Sequence, residues 1–328
     1  MSGDAVSILK HRDAIFGALT LLLFAAISLK LPQFASAGNI ADILDDTAIL
    51  VLLALGQMLV LLTRCVDLSI AANAAFSGMC VALLNQTHPD LPIIWILLIA
   101  TALGAALGAL NGFLVWICRI PSIVVTLGTL AIYRGSIYLV SDGTWVTSNE
   151  MSDGFLDFVR VSVGGLSTMS WLALIAVAVF SIGLKHTAFG RRFFVAGSNP
   201  AAAAYVGIDV GKVQCIAFTL AGAIAGLCGY LWVARFAIAS ADVAQGFELT
   251  VIAACVIGGV SIAGGVGTVT GVILGCVFLG LIRNALPLLG ISPFWQMAIS
   301  GAVIVGAVVI NARLQTDTRQ RILERSSA

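Results

Sequence analysis

Apolar and polar positions fall in long blocks along this chain. Ten apolar runs, at about 15–29, 47–63, 68–84, 93–117, 122–140, 166–184, 213–233, 249–262, 268–285 and 294–310, are separated by polar joints. A helix needs about 20 predominantly apolar residues to cross a bilayer. Run 249–262 is short for that, and Gly258-Gly259 with Gly264-Gly265 predict a break in the helix there. The pattern predicts an all-α polytopic membrane protein of about ten transmembrane helices, a single transmembrane domain over 1–328. Residues 38–46, with Asp42, Asp45 and Asp46, read as a short outer loop.

Two joints are long. Residues 141–160 hold Glu150, Asp153 and Asp157 and form the longest loop of the first half. The second, 190–212, carries a short helix of its own. Asn199 is a good N-cap, Pro200 suits the first helical position, Ala201 to Ala204 favour helix, and Gly207 supplies a stop. An isolated helix shorter than about 12 residues is marginal in water. This one therefore packs against something, either its own domain or another protein.

Composition narrows the picture. The 328 residues are 60% hydrophobic and 10% charged, against about 25% charged in soluble domains. There is no room for a sizeable soluble domain, and a net charge of +1 makes no case for a nucleic-acid partner. Basic residues set the orientation. Lys10, Arg12, Arg64, Arg119, Lys185, Arg191, Arg192, Lys212 and the tail arginines fall on one side. Only Lys30, Arg134, Arg160, Arg235 and Arg283 fall on or near the other. Both termini and segment 185–212 are thereby placed in the cytoplasm, and loop 141–160 outside.

Seven cysteines lie in or beside apolar runs with no CxxC pair, which suggests buried hydrophobes rather than a zinc site or disulfides. Gly104, Gly108 and Gly112 repeat every four residues, as do Gly267, Gly271 and Gly275, a spacing that lets helix backbones approach closely.

Catalytic motifs are missing. The segment from Gly207 to Lys212 has three residues between its glycines where a P-loop needs four, and Val213 stands where Ser or Thr would hold magnesium. No HExxH, intramembrane aspartate pair or Ser/His pair is present for an intramembrane enzyme. Of the ionisable residues nearest the membrane, Asp67, Arg134, Arg235, Glu248 and Arg283, most sit near span ends. Asp67 is the only candidate for an acid near the midplane, and Arg64 three residues before it predicts a structural ion pair. That scarcity argues against an ion-coupled carrier, so uphill transport would draw its energy from another subunit. Trp145, Trp232, Phe247, Trp295 and Gln296 sit at outer span ends, where they fit either a sugar path or an interfacial aromatic belt.

Four long stretches carry a resemblance: LTRCVDLSIAANAAFSG (62–78), NGFLVWICRIPSIVVTLGTLAIYRG (111–135), TAFGRRFFVAGSNPAAAAYVGI (187–208) and FELTVIAACVIGGVSIAGGVGTVTGVILG (247–275). Together they make the chain similar to the ribose/xylose/arabinose-type permease subunits of bacterial ABC sugar importers, over about 38–311. The finer texture of LTRCVDLS, WVARFAIA and ISPFWQ resembles the rhamnose-type permeases most, with the autoinducer-2 permeases next. Ala71-Ala72 departs from the Gly-Ser of the ribose-type proteins.

The resemblance implies a multi-pass subunit of the bacterial inner membrane that carries rhamnose or, alternatively, autoinducer-2 or a ribose-type sugar. It implies a second permease copy or paralogue, a cytoplasmic ATPase dimer and a periplasmic sugar-binding protein. ATP and magnesium would sit on the ATPase, with no cofactor on this chain. It also makes segment 185–212 the coupling loop and assigns Gly190, Arg191, Gly197, Asn199 and Pro200 to the ATPase contact.

Overall fold

The computed structural model describes residues 3–292 and isolated positions from 295 to 306. Twelve helices lie within residues 3–292. They are α1 (Gly3–Lys30), α2 (Ala37–Leu62), α3 (Ile70–Thr87), α4 (Ile93–Trp116), α5 (Ser122–Ser141), α6 (Asp153–Arg160), α7 (Thr168–His186), α8 (Ala188–Ser198), α9 (Pro200–Tyr205), α10 (Val210–Phe236), α11 (Phe247–Ile257) and α12 (Val269–Leu288). Four two-residue strands complete them: β1 (Val146–Thr147), β2 (Ser162–Val163), β3 (Leu166–Ser167) and β4 (Ile238–Ala239).

Seven helices, namely α2, α4, α5, α7, α10, α12 and the part of α1 from Asp13 to Lys30, are long and apolar enough to cross a membrane. The ten-span expectation is thus met only in part. Helix α3 coincides with a predicted run but buries Asn73, Ser77 and Asn85, which lower its apolar character. Helix α11 has 11 residues, too few to cross, and ends at Gly258 as the glycine pairs predict. Gly259, Gly264 and Gly265 take positive φ in the turn that follows. Most of run 294–310 lies outside the described residues.

Helices α2 and α10 form the centre, and α10 packs most extensively on α4, then on α3 and α2. Lipid tails provide no hydrophobic drive between helices, so close backbone packing must hold them. The glycine repeats supply it. A Cβ on Gly108 would stand 2.9 Å from Cα of Gly222, and one on Gly112 2.7 Å from Cα of Cys215. Gly271 and Gly275 of α12 likewise lie against Gly258 and Ala254 at the end of α11.

Residues 38–46 are not a loop. Ser36 caps α2 by accepting a hydrogen bond from the Asn39 N–H at 3.3 Å, so the acids fall on the first turns of a helix. Arg235 holds them there, with nitrogens 2.8 Å from Asp42, 3.7 Å from Asp45 and 3.6 Å from Asp46. Ser170 Oγ also donates to Asp45, at 3.1 Å.

The acidic loop is fastened rather than free. Strand β1 pairs antiparallel with β4, and α6 buries Phe155, Leu156 and Val159. Asn85 holds Ser152 through two hydrogen bonds, at 2.8 and 2.9 Å. Glu150 accepts from the Thr147 N–H at 2.8 Å, and this bond with the Thr147 hydroxyl keeps its carboxyl below the usual carboxylate range. This cap of the bundle lies at the N-terminal end of α7, whereas α8 and α9 follow its C-terminal end. The 19 residues of α7 separate the two by about 28 Å.

Candidate functional site

The polar stretch after α7 holds two helices where one was expected. Helix α9 is the predicted one. Asn199 Oδ1 accepts from the Ala202 N–H at 3.0 Å, Pro200 opens the helix, and Gly207 takes φ 78°. Helix α8 was missed, although its signals are present. Thr187 Oγ1 accepts from the Gly190 N–H at 2.9 Å, and Phe189 and Phe193, four residues apart, meet edge to face at 5.2 Å.

The five residues assigned to this platform divide into two groups. Arg191 and Asn199 are exposed and Pro200 is half-buried, whereas Gly190 and Gly197 are buried. A Cβ on Gly190 would reach Cα of Leu184 in α7 at 2.5 Å, and one on Gly197 would lie 2.7 Å from the Gly265 nitrogen. These glycines seat α8 on the bundle instead of offering a surface. Two residues that sequence reasoning passed over stand out in their place: Tyr205 is 92% exposed and Val206 71% exposed, at the tip of α9. The signal was an apolar pair closing an alanine helix just before its glycine stop.

The expected Arg64–Asp67 pair does not form. Asp67 Oδ1 accepts from the Ser69 N–H at 2.8 Å and from Ser69 Oγ at 2.7 Å, at the start of α3. Arg64 instead donates from Nε to the Gly197 carbonyl at 2.5 Å and from a terminal nitrogen to the Ser198 carbonyl at 2.9 Å. The last carbonyls of a helix lack partners within it and attract a cation, so the end of α8 is the better site for this guanidinium. Behind α9 lies a cavity of about 950 Å³ lined by Arg64, Trp116, Arg119, Pro200, Asp209 and Gln214, among others.

At the opposite end, a cavity of about 320 Å³ opens between α2, α10, α11 and α12. That volume is at the lower end of the range of small-molecule pockets, about 300–1,000 Å³. Trp232 and Phe247 meet edge to face there at 4.8 Å, and Phe236 lies 5.6 Å from Trp232. The Arg283 guanidinium sits 4.8 Å over the Phe247 ring, and Asp46 and Asn284 also line the cavity. The structure therefore brings two of the predicted path residues together. Trp145 and Trp295 are exposed and do not line this cavity, and Gln296 lies outside the described residues. In the sequence Arg283 is only a basic residue on or near the outer side, and its part in the cavity wall comes from the packing of α11 on α12.

All seven cysteines are free. Among the described residues, no group of three or more His, Cys, Asp or Glu is placed to hold a metal ion.

A family model described as "Branched-chain amino acid transport system / permease component" matches residues 39–308. Similar proteins include the "Autoinducer 2 import system permease protein LsrC" of Enterobacter sp. (strain 638), 35% identical over 98% of this chain and 93% of the relative. Its counterpart in Klebsiella pneumoniae subsp. pneumoniae is 36% identical over 94% of this chain and 89% of the relative. That of Photorhabdus luminescens is 34% identical over 90% and 88%. No solved structure matches. The helical bundle, its multi-pass character and these whole-length matches agree: the chain belongs to this permease family and is a transport subunit of the ribose/xylose-type ABC sugar importers.

Proposed function

We propose that this chain is the membrane subunit of an ATP-driven importer for autoinducer-2. The names of its relatives support that solute over the rhamnose expected from short sequence textures. The observation that carries the ATP-driven reading is α9, a capped helix of six residues whose tip projects Tyr205 and Val206 away from the bundle. Large apolar side chains held that far out, on the face that the basic residues assign to the cytoplasm, fit a partner surface.

In this reading Arg191, Asn199, Pro200, Tyr205 and Val206 meet a cytoplasmic ATPase, and Gly190 and Gly197 keep the platform rigid beneath them. ATP and magnesium belong to an ATPase dimer, and a second permease copy or paralogue completes the membrane unit in the inner membrane. Solute delivered by a periplasmic binding protein enters the outer cavity. Trp232 and Phe247 offer ring faces to its carbon skeleton, and Arg283, Asn284 and Asp46 offer hydrogen bonds to its hydroxyls. Trp145 and Trp295 serve the interfacial belt.

The test is uptake in cells stripped of their own importers and supplied with this chain and the ATPase and binding protein of its system. Autoinducer-2 uptake should exceed that of rhamnose and ribose and should stop on ATP depletion but survive a protonophore. Loss with the protonophore alone would favour an ion-coupled carrier. Preferential uptake of rhamnose would overturn the solute assignment.

A further inference from the structure

Three chain segments meet backbone to backbone beneath the platform. They are the end of α2, the end of α8, and the glycine turn between α11 and α12. The Gly265 N–H donates to the Leu62 carbonyl at 2.9 Å. A Cβ on Gly197 would strike the Leu62 carbonyl, and one on Gly265 would stand 2.6 Å from Cα of Ser198. Gly264, at φ 83°, leaves room for the Arg64 stem, since a Cβ there would strike Arg64 Cγ and lie 3.1 Å from the Gly197 carbonyl. Arg64 itself holds φ 65°, which is uncommon for a residue with a side chain. Its head then spans to the last carbonyls of α8.

The elements joined here also build the far cavity. Helix α2 contributes Ile43 and Asp46 to its wall, α11 contributes Phe247, and α12 contributes Arg283. Helix α2 has 26 residues, is about 39 Å long, and is buried throughout from Thr47 to Leu62. Helix α11 runs from the cavity down to the turn that touches α8. A displacement of α8 is thus delivered to both rods at one place, and a packed interior passes on such a shift instead of absorbing it.

We infer that Arg64 is a positioning residue for coupling: it ties the end of α8 to α2 and the α11–α12 turn, so that movement of the platform changes the outer cavity. This inference rests on the importer reading above. Arg64 is exposed, and its bonds to α8 are charge-assisted, so they can be removed without opening a hole in the core.

The experiment uses the full permease with its ATPase in nanodiscs. Cys118, which is exposed, is replaced by Ser, and Leu288→Cys places a thiol at the rim of the outer cavity. The readout is the labelling rate of that thiol by a polar maleimide, with and without trapping by Mg-ATP and vanadate. The parent should change its labelling rate on trapping. In Arg64→Gln that change should shrink by at least about tenfold, the factor for losing one of its two charge-assisted bonds, while ATP turnover stays within about twofold. Arg64→Lys, which keeps a cation, should restore part of the response. An undiminished response in Arg64→Gln overturns the inference. So does loss of bound ATPase in both variants, which would make Arg64 a docking or folding residue. No response to ATP in a parent that holds its ATPase would remove the importer reading and this inference with it.

Discussion

Helix α9 is short enough that its cap should control its function. Six residues make fewer than two turns, and helices of that length do not persist unaided. Two local devices hold it: the Asn199 Oδ1 bond to the Ala202 N–H at 3.0 Å and the fixed φ of Pro200. Removing an Asn cap costs about 1 kcal/mol, and releasing a proline at a compatible site costs about 0.4–1 kcal/mol. Asn199→Ala with Pro200→Ala should therefore shift the local equilibrium by roughly 1.5–2 kcal/mol, or about 10- to 30-fold. A partner that binds only the helical form sees its apparent affinity fall by the same factor. The assay is titration of the purified permease in nanodiscs with its ATPase, for the parent, the double variant and Asn199→Asp. Aspartate caps about as well as asparagine, so Asn199→Asp should stay close to the parent. The reasoning is refuted if the double variant binds as tightly as the parent, or if Asn199→Asp loses as much as the double variant does.

Other outcomes follow from the same geometry. Gly108→Val should lower the stability of the detergent-solubilised chain by about 1–3 kcal/mol, because any side chain there meets the α10 backbone. Gly128→Ala, where a Cβ meets nothing within 4 Å, should cost nothing, and denaturant midpoints compare the two. Trp232→Ala should raise the solute concentration for half-maximal uptake by about 3- to 10-fold, the worth of one aromatic contact. ATPase co-purification should be unaffected by that change. Trp145→Ala and Trp295→Ala should leave uptake near the parent value.

Much of this architecture was legible because two signals in the sequence are local. Apolar runs mark helices, and Asn199-Pro200 followed by alanines marks a capped one. The four-residue glycine repeats announced close packing, although only the structure shows that Gly104 and Gly108 face Gly222 and Gly226 and that Gly112 faces Cys215. What was not legible depends on partners distant in the chain. Residues 38–46 read as a loop because three acids look costly in a span, and Arg235, 193 residues from Asp42, is what makes them affordable there. Arg64 looked paired with Asp67 because proximity in sequence was the only guide, yet its carbonyl partners lie 133 and 134 residues away. Gly190 and Gly197 read as contact residues by family likeness, and that their lack of a side chain is used for packing inward is visible only in the structure. Tyr205 and Val206 were passed over because exposure is a tertiary property.

The central claim is that the tip of α9 meets an ATPase. A photoreactive amino acid at position 205 tests it most directly, with position 139 as the control: Leu139 is 80% exposed but lies at the opposite end of the bundle. Each variant is made in cells that carry the whole transport system, irradiated, and the crosslinked products identified by mass spectrometry. The account predicts an ATPase captured from position 205 and not from position 139. Capture from both positions, or no ATPase from position 205 in a permease that still inserts, would contradict it.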